Sequence, residues 1–315
     1  MSKLLSFVIP CYRCENTITN VVDEIKTVVA SLGDYEYEII TVDDCSPDNS
    51  IKVLKELADK DNNIKVVRFA KNFGQHAGLI AGVNYTKGDI VVYLDDDGQC
   101  PVDRLKEMIA PIEADTADIA IAQYGRKTQS VFKNICSVMN EFSANILIDK
   151  PKDIQIGNFV AFRRFIADEV VRYKGPYPYM LGLLFRSSKR IVNVPMKDRK
   201  RQDGETTYTV SKLFALWINS FTAFSIKPLR IAVVLGALLA ICGLIYGTYV
   251  VMRALFTPII VYGWSSLMAV MLVIGGMILF VLGIIGEYIG RIYMSLNNTP
   301  QFVVKELYNL EENNK

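Results

Sequence analysis

The chain has 315 residues, 51% of them hydrophobic, and a formal net charge of only +2. That length accommodates one large domain with additions, and the apolar excess is high for a purely soluble protein. The net charge taken globally is uninformative, no nucleic-acid partner is expected, and six cysteines in such a chain fit reduced thiols better than a disulfide framework.

In chain order, the N-terminus runs straight into an apolar strand, Leu4 to Pro10, without the charged-then-apolar-then-small pattern of a cleavable signal. Further β-branched runs at Glu38 to Asp43, Ile64 to Phe69, Asp89 to Leu94 and Ala117 to Gln123 read as strands. Amphipathic stretches, Ile18 to Leu32 and Ser50 to Lys60 among them, separate these strands. Such alternation predicts an α/β fold with a mostly parallel sheet and helices on both faces. Beyond Lys127 a helix is expected from Ser130 to Ile148, followed by a loop-rich stretch containing Gly157, Gly175, Pro176 and Pro178. Val210, Leu213, Phe214, Trp217, Phe221 and Phe224 recur at helical spacing and predict a helix that lies in a membrane interface or packs on the preceding domain.

Two charge-free runs follow, 22 residues from Ile231 to Met252 and 33 from Ala254 to Gly286, the second broken by Pro258 and Gly263. Each is long enough to cross a bilayer core of ~30 Å as a helix. Lys212, Lys227, Arg230, Arg291 and Lys305 flank the spans, against the single Arg253 between them, which predicts that both termini face the cytoplasm. Trp217 and Trp264 fall at the expected membrane edges, and the basic group Lys197, Arg199, Lys200 and Arg201 stands just upstream, where it serves as a solvated surface or holds phosphates.

The densest chemical signal is Asp95-Asp96-Asp97-Gly98-Gln99 at the end of the fourth strand. Clustered carboxylates repel one another unless a cation sits among them, and Asp95 and Asp97, two apart, are expected to converge on one ion at a strand end where open α/β sheets bind ligands. Hard oxygen donors suit Mg2+ or Mn2+ and not zinc. The other reading is that these acids cap the next helix. The second strand ends in Asp43-Asp44-Cys45-Ser46-Pro47-Asp48, whose acids can accept hydrogen bonds from a base or ribose, with Asp48 a helix cap. No Gly-x-Gly-x-x-Gly follows the first strand and no P-loop motif occurs, which argues against a dinucleotide dehydrogenase or P-loop ATPase. Cys11-x-x-Cys14 is half of a redox or zinc motif without a second pair at matching spacing. His76, the only histidine, is read as a helix-surface or supporting residue.

The runs Phe7-Val8-Ile9-Pro10-Cys11-Tyr12, Val42 to Ser46, Lys71-Asn72-Phe73-Gly74, Asp95-x-Asp97-Gly98-Gln99 and Arg201-x-x-Gly204-x-x-x-Tyr208 stand in the order of family 2 glycosyltransferases. Within that family the chain resembles the polyprenyl-phosphate glycosyltransferases, the group of dolichol-phosphate mannose synthase and the GtrB- and ArnC-type enzymes. The resemblance implies a Rossmann-like GT-A domain over residues 1–201, a juxtamembrane helix over 202–228, two transmembrane helices within 229–290 and a cytosolic tail over 291–315. It also implies Pro10, Tyr12, Glu15, Asp43, Asp44, Lys71, Asp95 and Asp96 as donor-binding residues, Asp95, Asp97 and Gln99 as ligands of Mg2+ or Mn2+, and Arg126, Ser130 and Lys133 as the acceptor-phosphate site. Asp97, Arg201 and Gln155 are implied as catalytic, Arg201 holding the donor diphosphate. The implied reaction is inverting transfer from a nucleotide sugar, UDP-linked in preference to GDP-linked, to polyprenyl phosphate at the cytoplasmic face of the plasma membrane, by a homo-oligomer for which the resemblance suggests a tetramer. Where the family carries an acidic residue, this chain has Gln155, with Asp153 nearby, and the family's Asn-Glu after the first tyrosine is Arg13-Cys14. A polysaccharide synthase of the same fold lacks support because Gln-x-x-Arg-Trp is absent. A non-catalytic binding module is opposed by the intact Asp95, Asp97 and Arg201.

Overall fold

The computed structural model describes residues 3–125, 153–176, 178–197, 199, 263–297 and 299–310, with part of the backbone between 229 and 252. The chain divides into two compact units, Met1–Val210 with Asn298–Lys315, and Ser211–Asn297.

The first unit is built on an eight-stranded sheet. Its strands are β1 (Lys3–Cys11), β2 (Tyr35–Asp43), β3 (Ile64–Phe69), β4 (Ile90–Tyr93), β5 (Ile119–Tyr124), β6 (Val160–Arg163), β7 (Ile191–Met196) and β8 (Val304–Tyr308). They lie in the order β7-β5-β6-β4-β1-β2-β3-β8. Only β6 and β8 run against the rest. The five strands expected from sequence are β1 to β5, and the helices α1 (Ile18–Leu32) and α2 (Ser50–Lys60) take the expected spans.

Alternation along the strands builds two cores. Leu5, Phe7 and Ile9 of β1, with Ile39, Ile64 and Val66, pack against α1, α2 and α4 (Leu105–Glu113). Ile40, Val42, Val67 and Phe69 face the other way, onto Ala77 and Ala81 of α3 (Gln75–Asn84). Helices α5 (Arg164–Arg172) and α6 (Met180–Ser187) lie on the α3 side. Central strands buried on both faces become continuous apolar runs, which is why β1 reads Leu-Leu-Ser-Phe-Val-Ile. Glu38, a buried acid within β2, accepts hydrogen bonds from Ser6 Oγ and Lys87 N and pairs with Lys65. Burial would raise its pKa, but these bonds outweigh burial and hold it below the usual carboxylate range.

The chain's C-terminal segment, read from sequence as a tail, returns to this sheet. β8 lies antiparallel to β3, Phe302 stacks on Phe69 at 5.4 Å, and Asn309 Nδ2 donates to the carbonyls of Ala58 and Ile64 at 2.8 and 3.0 Å. Gln301 Nε2 donates to the carbonyls of Tyr173 and Gly175 at 2.8 Å each.

In the second unit, α7 (Trp264–Leu296) begins immediately after Gly263, where the sequence places the break between apolar runs, and continues ten residues past the uncharged run. Within it, Val273–Leu296 is long and apolar enough to cross a membrane, the one such segment among the described residues. Leu279, Phe280 and Leu282 are exposed instead of packed into a core. Residues 229–252 have helical backbone at their described positions. The expected helices over 130–148 and 210–224 lie outside the described residues, as does Trp217.

Candidate active site

Strand order reverses at β1: the chain adds β2 and β3 on one side, then crosses through α3 to place β4 on the other. In open α/β sheets the crevice at such a reversal, beyond the strands' carboxyl ends, is where ligands bind. Pro10 and Cys11 end β1 with Tyr12 just beyond, Asp43 ends β2 with Asp44 just beyond, and Asp95 to Asp97 follow β4, so the fold brings the three predicted runs to one edge.

The Asp95–Asp97 segment lies in a turn, not on the strand itself, which stops at Tyr93; Gly98, at φ +73°, closes the turn. Asp95 Oδ1 accepts from Gln75 Nε2 at 2.7 Å and Oδ2 from Asn158 Nδ2 at 2.5 Å. Asp97 Oδ1 accepts from Gln99 N at 3.1 Å. Asp96 turns toward β1, its Oδ2 accepting from Tyr12 N at 3.1 Å. Burial first, then the neighbouring Asp95 and Asp97, push its pKa up to about 7 against the Tyr12 bond. Asp95 and Asp97 are half-buried, and their carboxylates are hard-oxygen donors of the kind Mg2+ and Mn2+ take. Gln75 and Asn158, both neutral amides, orient Asp95, and this donor set fits such an ion.

The β2 acids do different work. Both oxygens of buried Asp44 accept backbone N–H bonds, from Phe73 at 2.6 Å and Gly74 at 2.8 Å, and Asn72 Nδ2 donates to its carbonyl at 3.3 Å. Asp44 therefore positions the Lys71–Gly74 loop, whose Gly74 sits at φ +90° before α3. Asp43 is fully buried, accepts from Ser46 N at 3.2 Å and lies 3.5 Å from Arg68 Nε. Burial outweighs these partners and raises its pKa. Glu15, expected to line the donor pocket, accepts from Asn49 N at 3.0 Å beside the start of α2. Tyr12 is 45% exposed with the Arg13 guanidinium 5.5 Å from its ring centroid, and the Lys71 ammonium lies 5.0 Å from that of Phe73. Pro10 supports α3, since a Cβ on Gly78 would lie 3.2 Å from its own.

Gln155 is held through its backbone: its N–H donates to Asn193 Oδ1 at 2.7 Å and its carbonyl accepts from Asn193 Nδ2 at 3.0 Å. Gly157 passes so close to β5 that a Cβ would stand 2.4 Å from the Ala122 carbonyl oxygen. That approach brings Asn158 onto Asp95. Asn158, Gln75 and Asn193 are the members of the site that sequence reasoning missed; no local signal marks an amide that meets its carboxylate 63 positions away. His76 lies beside Gln75 with its ring edge-on to Tyr179 at 4.8 Å. Its Nδ1 is enclosed without a hydrogen bond, and burial pushes its pKa down to about 4. Arg126, Ser130, Lys133 and Arg201 lie outside the described residues.

A mostly parallel sheet whose reversal edge gathers the acids that follow β2 and β4 has the architecture of the GT-A fold. Residues 6–171 match glycosyl transferase family 2 and residues 227–292 match the GtrB C-terminal hairpin, and the chain belongs to the family 2 glycosyltransferases. It is 32% identical to the glycosyltransferase YkcC of Bacillus subtilis (strain 168), over 97% of this chain and 94% of the relative. It is 29% identical to the undecaprenyl-phosphate 4-deoxy-4-formamido-L-arabinose transferase of Proteus mirabilis (strain HI4320), over 99% and 96%. Among solved structures it is similar in fold to the glucosyl-3-phosphoglycerate synthase of Mycobacterium tuberculosis in complex with Mn2+, UDP and phosphoglyceric acid. The TM-score is 0.54 at 19% identity, over 70% of this chain and 76% of that one.

Proposed function

We propose that this glycosyltransferase moves a sugar from a nucleotide sugar, UDP-linked in preference to GDP-linked, to polyprenyl phosphate at the cytoplasmic face of the plasma membrane. The observation that carries this reading is the likeness to an undecaprenyl-phosphate sugar transferase across 99% of the chain, the apolar C-terminal region included. UDP as the donor nucleotide is supported by the UDP complex of the structural neighbour.

In this reading the donor diphosphate lies across the edge formed by Tyr12, Lys71 and the Asp95–Asp97 turn, and Arg201 grips it bidentately. Asp95, Asp97 and Gln99 would hold Mg2+ or Mn2+, and the bound ion would supply positive charge against the departing nucleoside diphosphate. An oxygen of the lipid phosphate, bound by Arg126, Ser130 and Lys133, attacks the anomeric carbon as the bond from that carbon to the diphosphate oxygen breaks, inverting the centre. The acceptor is already anionic near neutral pH, so a glutamine at position 155 is compatible with the reaction, serving to position and not to take a proton. Asn158 and Gln75 fix the Asp95 carboxylate, which limits reorganisation when the donor arrives.

Two spans within 229–290 keep the site beside the headgroups and leave both termini in the cytoplasm, and the protein works as a homo-oligomer. The test is partition of label into organic solvent: purified protein, undecaprenyl phosphate, Mn2+ and a panel of labelled UDP- and GDP-sugars. Lipid-soluble label with one donor supports the reading; none with any donor, from protein that binds UDP, contradicts it.

A further inference from the structure

The Cys11-x-x-Cys14 pair plays no part in the reaction above, and the fold supplies what the sequence lacked. Cys11 is the last residue of β1. Arg13, at φ +58°, folds the chain back, and Cys14 N donates to Ser50 Oγ at 2.8 Å, which anchors the return. Both thiols are buried, at 1% and 2% exposure. Asp96, the middle acid of the turn after β4, points to the same spot, and the Cys11 sulfur, the Cys14 sulfur and an Asp96 carboxylate oxygen all lie within 4.8 Å of one another. This is the one cluster of three such ligands with mutually close atoms among the described residues.

We infer that Cys11, Cys14 and Asp96 form a second metal site, for a thiophilic divalent ion of the Zn2+ type, distinct from the Mg2+ or Mn2+ assigned to Asp95 and Asp97. Zinc bonds of about 2.3 Å to sulfur and about 2.0 Å to oxygen set ligand–ligand edges of roughly 3.5–3.8 Å in a tetrahedron, so the side chains need close by no more than about 1 Å. Two sulfurs and one oxygen select Zn2+, Co2+ or Cd2+ over Mg2+. Three protein ligands leave a fourth position for water. Binding displaces the two thiol protons and, where Asp96 is protonated, its carboxyl proton: the ion joins two thiolates and the carboxylate, and the displaced protons go to solvent. The ion would tie the Tyr12 loop to the Asp95–Asp97 turn, which couples thiophilic metal to the geometry of the donor edge.

The test does not depend on the sugar or lipid assignment, because its readout is the metal. Reduced, full-length protein is titrated with Co2+ in excess Mg2+, following thiolate-to-cobalt charge-transfer absorption and tetrahedral d–d bands. The expected result is a saturable, stoichiometric signal displaced by Zn2+, retained in Cys45→Ser, lost in Cys14→Ser and weakened at least about tenfold in Asp96→Asn. In parallel, Zn2+ should protect Cys11 and Cys14 of the wild-type protein from alkylation under mild denaturant, read by peptide mass, which needs no variant to fold. Absence of a thiolate signal in the wild type overturns the site. So does a signal unchanged in folded Cys14→Ser or Asp96→Asn, or alkylation of both thiols at the same rate with and without Zn2+.

Discussion

Replacing Gly157 by alanine puts a methyl carbon 2.4 Å from the Ala122 carbonyl oxygen and 3.2 Å from Ile121 Cγ2. An ordinary carbon–oxygen contact is about 3.4 Å, so the segment must withdraw from β5 by about 1 Å, at an overpacking cost of roughly 1–3 kcal/mol. Asn158 moves with it. Its 2.5 Å bond to Asp95 would stretch to about the 3.5 Å limit of a hydrogen bond. Misplacement on that scale costs on the order of 100-fold in turnover. A loss of about 2 kcal/mol lowers the unfolding midpoint of a domain this size by roughly 4–8 °C. Thermal unfolding and steady-state transfer, measured on the same preparation, check both effects. Asn158→Ala is the companion variant: it removes the bond without the clash, so transfer should fall while the midpoint stays close to wild type. A Gly157→Ala protein with wild-type midpoint and turnover would refute the packing and its link to Asp95.

Asp97→Asn should fold normally and lose transfer by at least about 100-fold, with a weakened response to Mn2+, because one anionic donor is gone at nearly constant volume; titration of activity against Mn2+ checks it. Arg201→Lys should be severely impaired in transfer, chiefly through donor binding, since an ammonium cannot reproduce a bidentate fork on a diphosphate; donor KM reads it. Glu38→Gln should leave the active site alone and cost roughly 3 kcal/mol, because Lys65 stays mostly buried without its counter-charge; denaturant unfolding measures it. Glu38's folded pKa is below its unfolded one, so its contribution is present above the unfolded pKa and disappears as pH falls through the folded value. His76 folds as the neutral base with a pKa of about 4, against about 6.5 when unfolded. Protons therefore bind the unfolded chain first, and wild-type stability should drop between pH 6.5 and 4 by on the order of 2 kcal/mol more than that of His76→Gln, a difference absent at pH 7.5.

The α/β alternation was legible because central parallel strands are buried on both faces and cannot be anything but β-branched and apolar, while α1 and α2 carry their core stripe at helical spacing. β6 and β7 were not recognised, since Val160–Arg163 is only four residues long and Ile191–Met196 carries Asn193 and Pro195. β8 escaped because Val-Lys-Glu-Leu-Tyr looks like a polar tail until β3 offers it an edge. At the site, the Asp95–Asp97 turn and the β2 acids announce themselves through charge density at strand ends. The division of labour among them does not: Asp44 and Glu15 are committed to backbone N–H groups, and Asp96 turns away toward Cys11 and Cys14. Those orientations depend on which loops pack together, a long-range property that residue type and spacing leave open.

Whether the lipid phosphate itself attacks the anomeric carbon is decided by identifying both products of one turnover. Full-length protein with undecaprenyl phosphate, Mn2+ and the preferred nucleotide sugar should yield lipid phosphate heavier by one glycosyl unit, together with nucleoside diphosphate. Release of nucleoside monophosphate, with the lipid gaining a sugar phosphate, would contradict it, because the bond broken would then lie between the two phosphates and not at the sugar.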